Sequence, residues 1–159
     1  MAYIARASDL RDEQKIFELY KIVAAVPGGI ARNAEEITMS YIHDNLRKAL
    51  SGGLSFVAFG IDNPGNIIGE IHCYTPGPQV FSHVLSELTI VVHPQRQANG
   101  IGRLLFAKLL EHVENNMPHV FRVELIARES NKKAIAFYNN IGFVQEGRFE
   151  KMIHITGSG

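Results

Sequence analysis

Leu88-Thr89-Ile90-Val91-Val92-His93-Pro94-Gln95-Arg96-Gln97-Ala98-Asn99-Gly100-Ile101-Gly102 reads as an apolar strand that runs through a short connection into two closely spaced glycines. Immediately afterwards Gly102, Leu105, Phe106, Leu109, Leu110 and Val113 recur at i, i+3, i+4, i+7, i+8 and i+11. That spacing predicts one apolar face of an amphipathic helix, ending near Met117-Pro118. The first amides of a helix have no intrahelical acceptor, and its dipole presents positive charge there, so strand, loop and helix start make a cradle for phosphate. Gly100 and Gly102 are expected to take conformations closed to other residues and to let the backbone approach an anion. A Walker loop is excluded because no Gly-Lys-Ser/Thr follows, and a dinucleotide fingerprint because a third glycine and a later acidic residue are missing.

Around this stretch the composition is ordinary. The 159 residues, 46% hydrophobic and 20% charged, suit one domain, expected over residues 1–155 with a short tail at 156–159. Sixteen basic and sixteen acidic side chains cancel, so no global field draws the chain to nucleic acid or to an anionic membrane. Cys73 is the only cysteine and has no internal disulfide partner. Residues 1–6 lack the apolar core of a signal peptide, and no stretch approaches the ~20 apolar residues of a membrane span. A cytoplasmic location is expected. The seven histidines show no ligand-type spacing, and no metal is expected.

Residues 3–6 suggest a strand, and residues 9–26 a helix with Ile16, Phe17, Leu19, Tyr20 and Val23 inward, stopped by Pro27-Gly28-Gly29. Asn33 and Glu36 have capping-box spacing for a second helix reaching about Leu50, with Met39, Ile42, Leu46, Ala49 and Leu50 as its stripe and Tyr41 off it. Residues 54–61 and 67–74 flank Asp62-Asn63-Pro64-Gly65-Asn66 as a hairpin. Residues 85–92 and 121–127 read as buried strands on either side of the long helix, with parallel pairing expected between them. Ser130 or Asn131 caps a last helix carrying Ala134, Phe137, Tyr138 and Ile141, ended by Gly142, before a closing hairpin of 143–146 with 149–155. The fold class expected is mixed α/β.

Val92-His93-Pro94, Gln97-x-x-Gly100-x-Gly102 and Asn131-x-x-Ala134-x-x-Phe137-Tyr138-x-x-x-Gly142-Phe143, in this order after a buried strand, resemble the Gcn5-related N-acetyltransferase superfamily. The resemblance spans roughly residues 54–155. It implies a largely antiparallel central sheet with parallel, splayed central strands flanked by helices. It also implies acetyl-CoA or another short acyl-CoA as co-substrate, no metal, and an acetyl group moved to a primary amine by direct attack through a tetrahedral intermediate. A small-molecule amine is the expected acceptor; a protein N-terminus or lysine, or an acyl-CoA-sensing module without turnover, are the alternatives. Dimers are common among relatives.

By the same resemblance, the pyrophosphate would rest on residues Gln97, Ala98, Asn99, Gly100, Ile101 and Gly102, with Arg103 and Arg96 flanking the loop. The pantetheine arm would bond backbone groups of Ile90, Val91 and Val92, and the Val91 N–H would face the thioester oxygen. Asn131 and Phe137 are expected at the cofactor, and Tyr138 at the departing sulfur. Glu87, at the head of the central strand, is the candidate base, although alternation leaves it one residue out of register unless a bulge re-aims it. The acceptor pocket would draw on residues 27–32 and 75–84, with Arg32, Tyr41, His72 and Tyr74 as candidate substrate contacts. Arg32 suits a carboxylate or phosphate on the acceptor.

Overall fold

A computed structural model of the chain describes residues 2–152, which fall into two compact units, 2–126 and 127–152. The first holds a five-stranded sheet of β1 (Tyr3–Ala7), β2 (Gly53–Gly60), β3 (Asn63–Tyr74), β4 (Val84–Val92) and β5 (Arg122–Val123), in spatial order β1-β2-β3-β4-β5. The first three pairings are antiparallel and β4–β5 is parallel, as expected of a mixed sheet. Three helices accompany it: α1 (Glu13–Ala24), α2 (Met39–Gly52) and α3 (Ile101–Asn116).

Period-two alternation divides the sheet into two faces. On one, Val57, Ile67 and Val91 pack under α1 and α2 with Ile16, Leu19, Tyr20, Val23, Ile42 and Leu46. On the other lie Phe56, whose ring meets that of His112 in α3, and Gly69, where a Cβ would stand 3.0 Å from Ile101 and 3.1 Å from Leu105. The glycine lets the start of α3 sit directly on β3.

Several boundaries differ from the expectation. Asp9 caps a single 3-10 turn, Leu10–Asp12, so α1 begins at Glu13. Asn33 and Glu36 do form a capping box, but it closes another 3-10 turn, Ala34–Glu36; Thr38 caps α2, its Oγ1 accepting from the Tyr41 amide at 3.0 Å. The parallel strand β5 shrinks to two residues, because β4 leaves it after Leu85 and an unpartnered strand has no ladder to sustain it.

In the second unit Asn131 caps α4 (Lys132–Asn140), its Oδ1 accepting from the Ala134 amide at 3.1 Å. Gly142 follows with φ +107°, in the left-handed region that favours glycine after a helix end. The closing hairpin is not present among residues 143–152, where neither stretch pairs as a strand; its remaining positions lie outside the described residues.

Candidate functional site

Strand β4 has two halves of different character. In the first, Val84 and Leu85 pair with Arg122 and Val123, and the Glu124 amide donates to the Leu85 carbonyl at 2.9 Å. Glu87 then adopts φ +53°, and the pairing with β3 slips: His72 stands opposite Thr89 but Tyr74 opposite Ser86, so Glu87 and Leu88 together face Cys73. This is a β-bulge, the device that re-aims a side chain against strict alternation.

In the second half Glu70 pairs with Val91 and Gly69 with Val92, and the His93 amide donates to the Ile68 carbonyl at 2.8 Å. Amides alternate along a strand, so those of Thr89 and Val91 also face β3. The expectation that the Val91 N–H meets a thioester oxygen is corrected here. The outward amides are those of Ile90 and Val92, on the edge where no β5 residue pairs with them among the described residues.

The connection to α3 is tightly folded. Pro94–Arg96 form a 3-10 turn whose Gln95 amide donates to His93 Nδ1 at 3.1 Å, and Asn99 Nδ2 donates to the Arg96 carbonyl at 3.0 Å. Ala98 and Gly100 hold φ +69° and +78°. The left-handed pair is therefore Ala98 and Gly100; Gly102 lies inside the first turn of α3. Gly100 caps that helix without any side-chain acceptor, and a Cβ on it would find no atom within 4 Å. The amides of Ile101, Gly102 and Arg103 thus head a helix start with open space at Gly100, beside the exposed Gln97, Ala98 and Asn99, a polarity that fits a diphosphate.

On the helix-covered face lies a cavity of about 330 Å³. Arg32 from the α1–α2 connection, Tyr41 from α2, His72 and Tyr74 from β3 and Glu87 from β4 all line it, five residues brought together from across 56 positions of sequence, Arg32 to Glu87 inclusive. Ile30, Ala31, Asn45 and Thr89 complete the wall. Tyr74 is pushed above the usual tyrosine range by partial burial and by the neighbouring Glu87 carboxylate.

Beneath the cavity is a polar cluster that the sequence reading missed. The Glu70 carboxylate is 2% exposed and receives a short bond from Tyr20 Oη, one of 2.8 Å from Ser55 Oγ, and the His72 Nδ1 edge at 3.0 and 3.1 Å. Ser8 and Ser55 hydroxyls share a further bond of 2.7 Å. Burial, and then the Glu70 charge, push Tyr20 well above the ordinary tyrosine range. The available signal was Glu70-x-His72-x-Tyr74, three polar side chains at period two in an otherwise apolar strand.

Tyr138, Phe137 and Asn131 belong to the second unit. There Tyr138 meets the rings of Phe137 and Phe143 edge-on at 5.8 and 6.1 Å, and burial raises its hydroxyl above the usual range. Among the described residues no helix is long and apolar enough to cross a membrane, and no three histidine, cysteine or acidic side chains gather as a metal-binding group.

Comparison with known proteins agrees with this architecture. A spermidine N(1)-acetyltransferase of Vibrio cholerae is 27% identical over 123 residues, 77% of this chain and 64% of that protein, so the chain spans less than two thirds of that relative's length. An acetyltransferase of the GNAT family from Streptococcus pneumoniae superposes with a TM-score of 0.86 at 21% identity, covering 99% of this chain and 94% of the other. The structure of AAC(6')-Iy in complex with the bisubstrate analogue CoA-S-monomethyl-acetylneamine superposes at 0.70 with 17% identity over 98% and 99% of the two chains. The acetyltransferase (GNAT) family model matches residues 16–143, and the chain belongs to that family.

Proposed function

We propose that the protein transfers an acetyl group from acetyl-CoA to the primary amine of a small molecule held in the cavity between α2, β3 and β4. The observation that carries this reading is β4 itself. Its bulged head puts Glu87 and Thr89 on the cavity, while its far end leads to the uncapped start of α3 at Gly100.

Acetyl-CoA, when bound, supplies a thioester whose carbonyl is open to attack by an amine. The outward amides of Ile90 and Val92 suit a pantetheine arm lying along the parted edge, and the amides of Ile101 to Arg103 suit its diphosphate. The AAC(6')-Iy complex with a CoA-derived bisubstrate analogue supports that choice of co-substrate. Glu87 offers an acceptor for the incoming ammonium, and Arg32 one partner for an anionic group. That pair favours a zwitterionic, amino-acid-like amine over the polyamine for which the Vibrio cholerae relative is named. Tyr138 is assigned to the departing sulfur.

Titration with acetyl-CoA, desulfo-CoA and ATP tests the donor site: the pantetheine-bearing ligands should bind tightly and ATP weakly, and equal affinity for ATP would refute the reading. A panel of amines, followed by release of free thiol, identifies the acceptor class. Tyr138→Phe should then lower turnover strongly with little change in acetyl-CoA affinity.

A further inference from the structure

We infer that His72, held by the buried Glu70, is the group that takes the proton from the amine in the cavity. This deepens the proposed function and rests on it. The bonds around Glu70 fix the imidazole. Tyr20 and Ser55 hydroxyls and the His72 Nδ1 edge converge on one carboxylate, and a carboxylate accepts only, so Nδ1 carries the hydrogen. The Tyr20 hydroxyl oxygen, 3.3 Å from Nδ1, has already committed its proton to Glu70 and reinforces the same tautomer.

That leaves the lone pair on Nε2. Among the described residues no group bonds it, yet none of their buried side-chain nitrogens or oxygens lacks a partner. Nε2 is therefore not sealed in the interior; His72 borders this cavity and a second one of about 10 Å³ beside Tyr20 and Leu46, and only the larger has room for an amine. A carboxylate that holds an imidazole in one tautomer is the arrangement of a hydrogen-bonded base.

The proton path balances. The substrate ammonium gives one proton to Nε2, its nitrogen bonds to the acyl carbon as the carbon–sulfur bond breaks, the second nitrogen proton passes to the departing sulfur, and His72 returns its proton to solvent. Glu70 never touches substrate and is a positioning residue. The charged and titratable groups around the ring are Glu70 and Tyr74 on β3, Tyr20 on α1 and Tyr41 on α2, with Glu87 on β4 and Arg32 on the α1–α2 connection sharing the cavity. His72 is held in one orientation by Glu70 whereas Glu87 is exposed, which favours His72 over Glu87 for this step.

The test uses the full chain and the amine from the panel that releases thiol fastest. His72→Gln should lower kcat/KM about 100-fold near neutral pH and abolish its acidic limb, leaving acetyl-CoA affinity within about twofold. Glu70→Gln should keep the limb but shift it to lower pH, a change that a merely structural role would not produce. Glu87→Gln should leave the limb in place. An unchanged acidic limb in His72→Gln overturns the inference. If no amine is acetylated, the proposed function fails instead, and histidine nitrogen NMR of the unmodified protein still decides the geometry: protonation at Nδ1 of neutral His72 is required, and protonation at Nε2 refutes it.

Discussion

The Arg32 guanidinium lies 3.9 Å from the centroid of the Tyr41 ring, at the wall of the same cavity that His72 and Glu87 border. Stacking of this kind holds a cation in place while leaving its N–H groups free to point at a ligand. Arg32→Gln should raise KM about tenfold for an amine that carries a carboxylate, with kcat nearly unchanged. The methyl ester of that amine should show no such change, and steady-state kinetics on the pair checks it.

Alkaline stability should depend on two buried groups. Burial pushes the Cys73 thiol from 9.0 up to about 12, and Tyr20 rises well above 10.0. For groups raised on folding, the stabilisation is complete below the unfolded value and disappears as pH climbs toward the folded one. Resistance to denaturant should therefore weaken from about pH 9 upward, and Tyr20→Phe and Cys73→Ala should each flatten that decline. A wild-type stability constant through this window would contradict the assignment.

At the acid end the decisive pair is Arg6 and Asp12. The guanidinium grips both carboxylate oxygens at 2.8 and 2.7 Å, and the Asp9 amide adds a bond of 2.9 Å. These contacts, the Arg6 bond above all, hold Asp12 below 3.8, so its contribution is present above that value and is lost as pH falls through the lower folded one. Arg6 is partly exposed, and solvent screening limits the pair to about 1 kcal/mol. Asp12→Asn should lose that amount at neutral pH and show a shallower acid transition, as read by urea melts.

Gly100 separates backbone strain from ligand exclusion. At φ +78° an alanine costs about 1 kcal/mol but meets no neighbour. Gly100→Ala should lower the melting temperature slightly, whereas Gly100→Val should in addition weaken acetyl-CoA at least about tenfold by calorimetry. Equal affinity in the two variants would move the diphosphate away from this loop.

The periodic signals carried the architecture. The i, i+3, i+4 face from Gly102 to Val113 and the stops at Pro27 and Gly142 located helices to within a few residues, because burial of a stripe leaves little choice of element. Local turn chemistry was less decisive: Asn33 has the residues of a capping box, yet one 3-10 turn satisfies them and Thr38 starts the helix. Arg32, Tyr41, His72 and Tyr74 were legible as lining the cavity from the loop, helix and strand that bear them. Glu87 was legible only conditionally, since nothing in Ser86-Glu87-Leu88 announces a left-handed residue. The Glu70 cluster was hidden for another reason. Its partners Tyr20 and Ser55 are 50 and 15 positions away, and only the assembled sheet and helix make them neighbours.

The extra residue at Glu87 makes β4 behave as two rulers joined at a half-step offset. On the proposed reading, substitutions at Glu87 or Thr89 alter what the pocket admits, and those at Ile90 or Val92 alter how the acyl donor is gripped. Removing Leu88 would leave both rulers in step with β3 but set Glu87 squarely opposite Cys73, turned away from the face of His72 and Tyr74, so the carboxylate's place in the pocket depends on the strand's extra length.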